Sequence, residues 1–499
     1  MTNLNHPPPA IRSVLVALML AIFLGALDQT IVAVSLPAIS AQFHDVELLA
    51  WIISGYMVAM TVATPIYGKL GDLYGRRRMI LIGTGLFTLA SLFCGMAQSM
   101  EQLVLARILQ GIGAGGMVSV SQAIIGDIVP PRERGRYQGY FSSMYAAASV
   151  LGPVLGGYMT EYLSWRWVFW INLPMGLFAC LYARGKLRGL AIPNRTPVID
   201  YVGTALMIVG LTSLLMGVTR IGQGHALADP RICGLLILAV LALSTFVWHE
   251  RRCREPLLPM HLFANKAATL CWCTVFFTSF QAIGLSVMMP LRFQTVTGSG
   301  ADIAALHLLP LALGLPIGAF IGGRRTSQTG RYKPIILTGA AIMPLAIFGT
   351  AWIAPDRLWL SAAFMMLTGI AGGLQFPTSL VGAQNSVEPR DIGVATSTLA
   401  LFRSLGGAVG VACLSALLLA MLQGLNLSAT GGVEGNALLA SLDMAAGPAQ
   451  NALRVSLGQT FEHLLMVSAA ISLLGLAAAI ALPDLVLRGR ELQPVVKAG

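Results

Sequence analysis

The sequence predicts an all-α protein that crosses a membrane many times. Hydrophobic residues make up 56% of its 499 residues and charged residues only 11%, whereas a soluble domain typically carries about 25% charge. Apolar runs of roughly 20 residues recur along the whole chain, and each is long enough to cross the hydrocarbon core as a helix. The first run, from Val14 to Leu36, is too long for a signal peptide, and no small-residue cleavage site follows it.

Fourteen transmembrane helices are expected from the order of the apolar runs. They start near residues 14, 48, 79, 103, 137, 168, 201, 232, 267, 304, 334, 358, 393 and 461. The loops between them alternate in charge, and one set holds most of the 32 Lys and Arg residues. Because cytoplasmic loops carry the excess of Lys and Arg, this set and both termini are expected in the cytoplasm. The same placement accounts for the net charge of +11 without a nucleic-acid partner.

The sequence gives no signal for an enzyme, a metal site or a cofactor. Its seven cysteines are scattered, without the spacing of a disulfide framework or a metal site. The stretch GIGAGG at 111–116 fits a dinucleotide fingerprint, but it lies within an apolar helix and not after a strand. No Walker A pattern is present, so ATP is not expected as the energy source. A membrane enzyme or receptor would show turnover without vectorial movement, and no residue constellation supports one.

Several motifs recur at one fixed offset, which indicates two related halves. The matched residues are Gly111 and Gly369, Pro131 and Pro389, and Gly152 and Gly410. We expect an N-terminal six-span bundle over 1–195, two inserted spans over 196–262 and a C-terminal six-span bundle over 263–499. Internal repeats of this kind are typical of secondary transporters, in which the binding site lies near the midplane between the halves.

Five motifs carry a family resemblance that extends over nearly the whole chain. They are LDQTIVAVSLP at 27, GKLGDLYGRRR at 68, LARILQGIGAGG at 105, LGPVLGGYM at 151 and SWRWVFWINLPMG at 164. The second and third resemble signatures of the major facilitator superfamily, and the fourth resembles its antiporter motif in span five. The first and last are similar to motifs of the fourteen-span drug:proton antiporters of EmrB/QacA type, so the chain resembles that group.

This resemblance implies the major facilitator fold, in which two six-helix bundles, here with two extra helices, surround a cavity that opens alternately to each side. It implies a proton-coupled exporter of small amphipathic compounds or drugs in a bacterial inner membrane. Its partners would be the small-molecule substrate, protons and the lipid bilayer. The group also allows a periplasmic adaptor protein, although no residue indicates one. A dedicated exporter or symporter of a single metabolite is the alternative, and competition among diverse dyes would separate the two.

Two charged residues within apolar spans are the candidates for proton coupling. Asp28 lies in the first span, where a carboxylate is costly unless it is paired, hydrated or protonated, and where a low dielectric favours proton exchange near neutral pH. Arg107 lies in span four and shares a helix face with Gln110, and the resemblance gives it a part in proton coupling. The alternatives are a helix-packing aspartate bonded to a neighbour, such as the Thr30 hydroxyl or another span, and an arginine that caps nearby carbonyls.

The loop after span two is expected to control the conformation. Its motif residues are Gly68, Asp72, Gly75 and Arg76. By the resemblance, Asp72 would lie near Gly393 at the start of span thirteen and near Arg134, and this contact would latch one conformation shut. The other interpretation is that the basic residues of the loop only anchor the topology.

Span five carries a surface of small residues around a proline: Gly152, Pro153, Gly156 and Gly157. Small residues permit close helix contact, and proline bends a helix. This surface suits a seam that rocks during transport, as the resemblance implies for antiport, or ordinary tight packing.

A substrate pocket is expected from polar and aromatic side chains within the spans. The candidates are Tyr56, Gln122, Phe276, Phe280, Gln281, Gln375, Phe376 and Arg403. Apolar walls with a few polar groups suit amphipathic ligands, but a Phe on such a helix also faces lipid or packs. Spans nine to fourteen offer no carboxylate at mid-depth, which favours neutral, weakly acidic or monovalent substrates. The roles of Arg292 and His307 stay open.

Overall fold

The computed structural model describes residues 11–43, 46–190, 199–223, 225, 228–253, 255–353, 357–423 and 448–487, and the regular elements in these ranges are helices. The long helices are α1 (Ile11–Phe43), α2 (Val46–Tyr74), α3 (Arg76–Met96), α4 (Met100–Ile128), α5 (Pro131–Tyr162), α6 (Asn172–Lys186), α7 (Tyr201–Gly222), α8 (Pro230–Glu250), α9 (Lys266–Arg292), α10 (Leu309–Thr329), α11 (Lys333–Trp352), α12 (Leu358–Ser386), α13 (Ile392–Gln423) and α14 (Pro448–Ala481). The short helical segments are Trp167–Trp170, His261–Ala264, Phe293–Thr297, Ala301–Leu306 and Pro389–Asp391.

Eleven helices within the described ranges are long and apolar enough to cross a membrane. This confirms a helical protein with many membrane spans, whereas the number fourteen remains a prediction. The long helices outside the eleven are α5, α6 and α10. The first of these begins with four charged residues in six, and the second has only 15 residues.

The fixed offset in the sequence corresponds to a repeated packing pattern. In the first half, α1 packs against α4, α5 and α6, α4 also packs against α2 and α3, and α3 packs against α6. In the second half, α9 to α14 make the same six pairings in the same order. The boundaries at 195 and 262 are not tested by this pattern and remain a prediction.

Matched glycines explain why the repeated pairings are close. A Cβ atom on Gly111 would lie 2.4 Å from the backbone oxygen of Tyr56, and one on Gly369 would lie 2.2 Å from the backbone oxygen of Leu311. Only a residue without a side chain allows this approach between helix backbones. The glycines therefore set the contact of α4 with α2 and the equivalent contact of α12 with α10.

The two inserted helices lie beside the junction of the halves. Helix α7 packs against α8, and it also packs against α2 from the first half and α13 from the second. The turn after α8 is fixed by Glu250, whose carboxylate accepts hydrogen bonds from the backbone N–H groups of Leu257 and Leu258. This pair is thus in contact with both halves.

One end of the molecule, here called the basic end, carries the loops that follow the even-numbered helices. The halves are in close contact there: α5 packs against α10, and α2 packs against α13. A Cβ atom on Gly135 would lie 2.6 Å from the backbone oxygen of Gly323, and one on Gly68 would lie 2.3 Å from Oγ of Ser397. The chain also returns to this end after α14, where the N–H of Leu487 donates to the carbonyl of Gly330.

Candidate functional site

Asp28 lies in α1 with no exposed surface and accepts hydrogen bonds from three side chains on two other helices. Nη1 of Arg107 lies 2.5 Å from its Oδ2. Nε2 of Gln110 and Nδ2 of Asn172 each lie 2.8 Å from its Oδ1. Charge-assisted hydrogen bonds of this kind are the strong ones, and they compensate the loss of hydration that burial imposes on the carboxylate.

Arg107 is equally enclosed, with 1% of its surface exposed. Besides Asp28, its guanidinium donates to the carbonyl of Ile52 at 3.2 Å and to Oε1 of Gln110 at 2.6 Å. It also lies 4.1 Å from the ring centroid of Tyr56, a distance at which a cation is attracted to an aromatic face. The two charges therefore form a buried, net-neutral pair that ties α1 to α4 and α2.

Ser91 and Asn172 complete the network, although neither was a predicted site residue. Oγ of Ser91, on α3, accepts from Nε2 of Gln110 at 2.7 Å and from Nδ2 of Asn172 at 3.4 Å. The position of Asn172 in the motif SWRWVFWINLPMG was a sequence signal that could have identified it as a site residue. Ser91 lies in no motif, so it carried no such signal. The group of Ser91, Gln110 and Asn172 around the Asp28–Arg107 pair is called the carboxylate network below.

Of the two partners that the alternative for Asp28 allowed, the Thr30 hydroxyl is not among its described contacts, whereas other spans are, through Arg107, Gln110 and Asn172. The Thr30 hydroxyl donates instead to the carbonyls of Ala26 and Leu27 and, at 2.9 Å, to that of Ala148 on α5. The Arg107 alternative is realised in part, because its guanidinium caps one carbonyl while it pairs with Asp28.

The small residues of α5 divide into two groups. A Cβ atom on Gly152 would lie 2.0 Å from Oγ1 of Thr30, and one on Gly156 would lie 2.7 Å from the backbone oxygen of Ile31. These two glycines form the contact with α1. Pro153 faces outward, and a Cβ atom on Gly157 would meet nothing within 4 Å.

At the basic end, the structure places Asp72 beside Gly393, where a Cβ atom on the glycine would lie 2.5 Å from Oδ1 of Asp72. The predicted loop is helical at both residues: Asp72, in the last turn of α2, accepts a hydrogen bond from Arg76 at the start of α3. Arg76 also binds Asp127 at 3.0 Å. Gly75 adopts a φ of 94°, which favours glycine. The carboxylate thus meets the start of α13, as the resemblance implied.

Hydrogen bonds also join the halves at this end. Arg132 donates to the carbonyls of Ser327 and Gln328 at 3.3 and 3.4 Å. Arg134 lies in the same region: it donates to carbonyls at the end of α4 and, at 3.4 Å, to Oε1 of Gln384 on α12. Its described contacts do not include Asp72.

Among the described residues, a cavity of about 830 Å³ lies at the basic end, between Asp72 and Arg390. Two further cavities, with volumes of about 410 and 260 Å³, lie between the halves among the long helices. Both are lined by Val118, Tyr145, Ala400 and Arg403, so they meet at these residues. Among the predicted pocket residues, the smaller cavity is lined by Gln122, Phe376 and Arg403. The junction of the two cavities is called the central cavity below.

The other predicted pocket residues lie outside these walls. Tyr56 lies beside the carboxylate network, where its ring faces Arg107. Gln281 bonds Ser468 and Gln375 bonds Thr278, while the backbone of Phe276 and Phe280 packs against glycines of α13; these are structural contacts within the second half. Arg292 likewise donates to carbonyls at the end of α11, and the His307 ring packs 4.6 Å from that of Phe293.

One cluster of ligand-type side chains joins α7 to α8: Asp200, His249 and Cys253, whose candidate ligand atoms lie within 4.8 Å of one another. Asp200 is the N-cap of α7 and accepts from the N–H of Gly203, and Nε2 of His249 lies 2.9 Å from its Oδ1. Burial would raise the pKa of Asp200, but these hydrogen bonds outweigh it and hold the pKa below its usual value. The cluster thus fastens the ends of the two inserted helices.

Comparison with known proteins supports the assignment from the motifs. The family profile described as Major Facilitator Superfamily matches residues 18–411. An uncharacterized MFS-type transporter of Mycobacterium tuberculosis is 36% identical over 405 residues, which cover 80% of this chain and 58% of that protein. The chain therefore spans less than two thirds of that relative.

Two further proteins are similar to this chain, one in sequence and one in fold. The multidrug transporter protein MdtP of Bacillus subtilis is 35% identical over 405 residues, which cover 80% of this chain and 74% of the relative. The proton:xylose symporter XylE superposes with a TM-score of 0.60 at 15% identity, over 95% of this chain and 96% of that one, a likeness that shows the fold alone. The motifs, the repeated helix packing and the family match together show that the chain belongs to the Major Facilitator Superfamily of membrane transporters.

Proposed function

We propose that this protein is a proton-coupled exporter of small amphipathic compounds, of the fourteen-span EmrB/QacA type. The observation that carries the proposal is the fully buried Asp28 carboxylate, held by Arg107, Gln110 and Asn172 inside a helix that can span the membrane. Ionisable residues at such depth mark proton or ion pathways. Bacterial relatives named as multidrug transporters support the choice of substrate.

Protonation of Asp28 removes the negative charge from the buried pair of Asp28 and Arg107. A neutral carboxyl group no longer compensates Arg107, and an uncompensated buried charge costs about 3–5 kcal/mol. The pair therefore favours rearrangement of α1 against α4 when a proton arrives. Protonation from the outside would favour release of the substrate, and deprotonation toward the inside would favour loading.

A path from this pair to the junction of the halves runs through α5. Thr30, two residues after Asp28, donates to the carbonyl of Ala148 on α5, and Gly156 packs against Ile31. The beginning of α5 in turn meets α10 at the basic end. A shift of α1 is thereby passed to a contact that must open during alternating access.

We include in the proposal that the membrane is a bacterial inner membrane and that the basic end faces the cytoplasm, an orientation that the positive-inside rule favours. The structure would then represent a state closed toward the cytoplasm, and both termini would be cytoplasmic. The proposal allows a periplasmic adaptor protein as a partner.

The test is dye uptake into inverted membrane vesicles, driven by a proton gradient. Wild type is expected to accumulate members of a panel of cationic, neutral and anionic lipophilic dyes, and Asp28→Asn is expected to lose this uptake. Glu101→Gln serves as the matched control, because Glu101 is an exposed acid at the start of α4.

Equal amounts of each variant in the membrane are required for the comparison. Uptake by Asp28→Asn at the wild-type rate would overturn the role of Asp28. Failure of wild type to move any dye of the panel would favour a transporter dedicated to one metabolite.

A further inference from the structure

The central cavity contains a cation for which the described residues provide no acidic partner. Arg403, on α13, is half-buried and lines both cavities. The other described residues that line them are uncharged. Neither lining contains an Asp or Glu. The ion pairs of the described ranges involve other basic residues. A partly desolvated guanidinium without a counter-charge is costly, and an anion that reaches it is stabilised.

Two aromatic rings flank this cation. The guanidinium carbon lies 5.1 Å from the ring centroid of Phe376 on α12 and 5.7 Å from that of Tyr145 on α5. The rings belong to opposite halves of the molecule, and both line the smaller cavity. They restrict the orientation of the guanidinium and offer flat apolar surfaces for a planar ligand.

The larger cavity extends from Arg403 toward the inserted helix α7. Its wall on that side consists of Leu215, Val218, Thr219, Gly222 and Gln223, and the opposite side comes from α2 and α13. At about 410 Å³ it falls within the usual size range of small-molecule sites. The inserted pair is therefore part of the cavity wall and not only a spacer between the halves.

We propose that the substrates are amphipathic anions, with the acidic group at Arg403, a planar part near Tyr145 and Phe376, and an apolar body against α7. This inference rests on the proposed export function and names its substrate class. Arg recognises carboxylates through paired hydrogen bonds. A cation would meet unfavourable charge in the same place, so the central cavity discriminates by the sign of the head group.

The test is equilibrium binding to the purified full-length protein in detergent, with three probes that share one fluorophore. The probes are 1-pyrenebutyrate, its methyl ester and the corresponding pyrenebutyl trimethylammonium ion, and fluorescence polarisation reports their binding. Wild type should bind the anion about tenfold more tightly than the ester or the cation, since a hydrogen bond to a charged group is worth a factor of this order.

The variants separate charge from shape. Arg403→Gln should remove the preference for the anion and leave ester binding within about twofold, and Arg403→Glu should reverse the preference toward the cation. Arg231→Gln is the matched control, since Arg231 is exposed on α8 outside both linings. Thr219→Trp should weaken all three probes alike because it fills the larger cavity, whereas Val209→Trp, on the exposed side of α7, should not.

A wild-type preference for the ester or the cation would overturn the proposal, as would an Arg403→Gln variant that keeps the preference for the anion. Binding is measured without a proton gradient, so its outcome is independent of the vesicle experiment. Anion-selective binding without proton-driven uptake would support the site assignment and refute the exporter. Uptake of cations alone by wild type would support the exporter and refute the assignment of anions as its substrates.

Discussion

The ion pair between Asp28 and Arg107 makes each residue depend on the other. Each is at most 1% exposed, so neither can be hydrated when its partner is removed. Removing one member of a buried pair leaves an uncompensated charge, whereas removing both leaves two neutral side chains. The two single substitutions and the double substitution should therefore not be additive.

We expect Arg107→Gln to destabilise the protein by about 3–5 kcal/mol, and the double variant Asp28→Asn/Arg107→Gln to recover most of this loss. The physical reason is the unpaired carboxylate that the single variant leaves behind. The measurement is the thermal midpoint of each variant in detergent. Samples are heated, and size-exclusion chromatography gives the fraction that stays monodisperse. If the double variant is less stable than Arg107→Gln, the pair is not the coupled unit described here.

The charged residues of the site and Gln110, which shares the helix face of Arg107, were predictable from the sequence, whereas Ser91 and Asn172 were not. Asp28 and Arg107 stand out because charge is rare in apolar spans. Ser91 and Asn172 do not, since such side chains are common in membrane helices. The bond between Asn172 and Asp28 joins residues 144 positions apart, and no local pattern reports a contact at that separation.

At the scale of elements, the seam between α1 and α5 depends on which glycines face it. Gly156 and Gly157 are neighbours in sequence, but only the former meets the backbone of α1. The sequence identified the small-residue surface without telling its buried face from its open one. The rotation of α5 about its own axis decides which glycine faces α1. An apolar span has little hydrophobic asymmetry, so its sequence does not predict that rotation.

Gly156→Ala should cost about 1–3 kcal/mol and slow dye uptake, because its Cβ atom would lie 2.7 Å from the Ile31 backbone oxygen and must push α1 away. Gly157→Ala is the matched control at the next position, and its effect should stay within about 0.5 kcal/mol. Thermal midpoints and vesicle uptake of the two variants are compared directly. Equal loss in both variants would show that α5 does not use this face as its seam.

The helices themselves were largely predictable, since apolar length is a strong signal. Each expected start but the last lies within a few residues of the start of a long helix, whereas α14 begins at Pro448 and not near 461. Eleven of the described helices are long and apolar enough to cross a membrane. The predicted pocket was less accurate in its placement: Gln122, Phe376 and Arg403 line the smaller cavity, and Gln281 and Gln375 bond within the second half. The relative orientation of the two halves decides which residues meet between them. The composition of single spans does not predict that orientation.

At the scale of the whole molecule, two similar halves make unequal contacts at the basic end. The contact of α2 with α13 includes the carboxylate of Asp72 beside Gly393. In the second half, the stretch GRRTSQTGRYK at 323 resembles GKLGDLYGRRR at 68 and has Ser327 in the place of Asp72. The backbone carbonyl of Ser327 accepts a hydrogen bond from Arg132 where α5 meets α10. One contact therefore includes a carboxylate beside α13, and the other includes a guanidinium bonded to backbone carbonyls of α10. The two sides of the basic end can thus respond differently to a charge change.

Alternating access requires both contacts to separate in each cycle, and a covalent link across one of them should stop transport. We expect the double variant Arg132→Cys/Ser327→Cys, treated with a short bis-maleimide, to lose proton-driven dye uptake to the level of Asp28→Asn. Each single cysteine variant, treated in the same way, controls for the native cysteines and for modification of one residue. If the cross-linked protein still transports, the contact between α5 and α10 does not open, and the basic end must admit substrate elsewhere. If uptake falls only in the cross-linked double variant, opening at this contact is an obligatory step of the cycle.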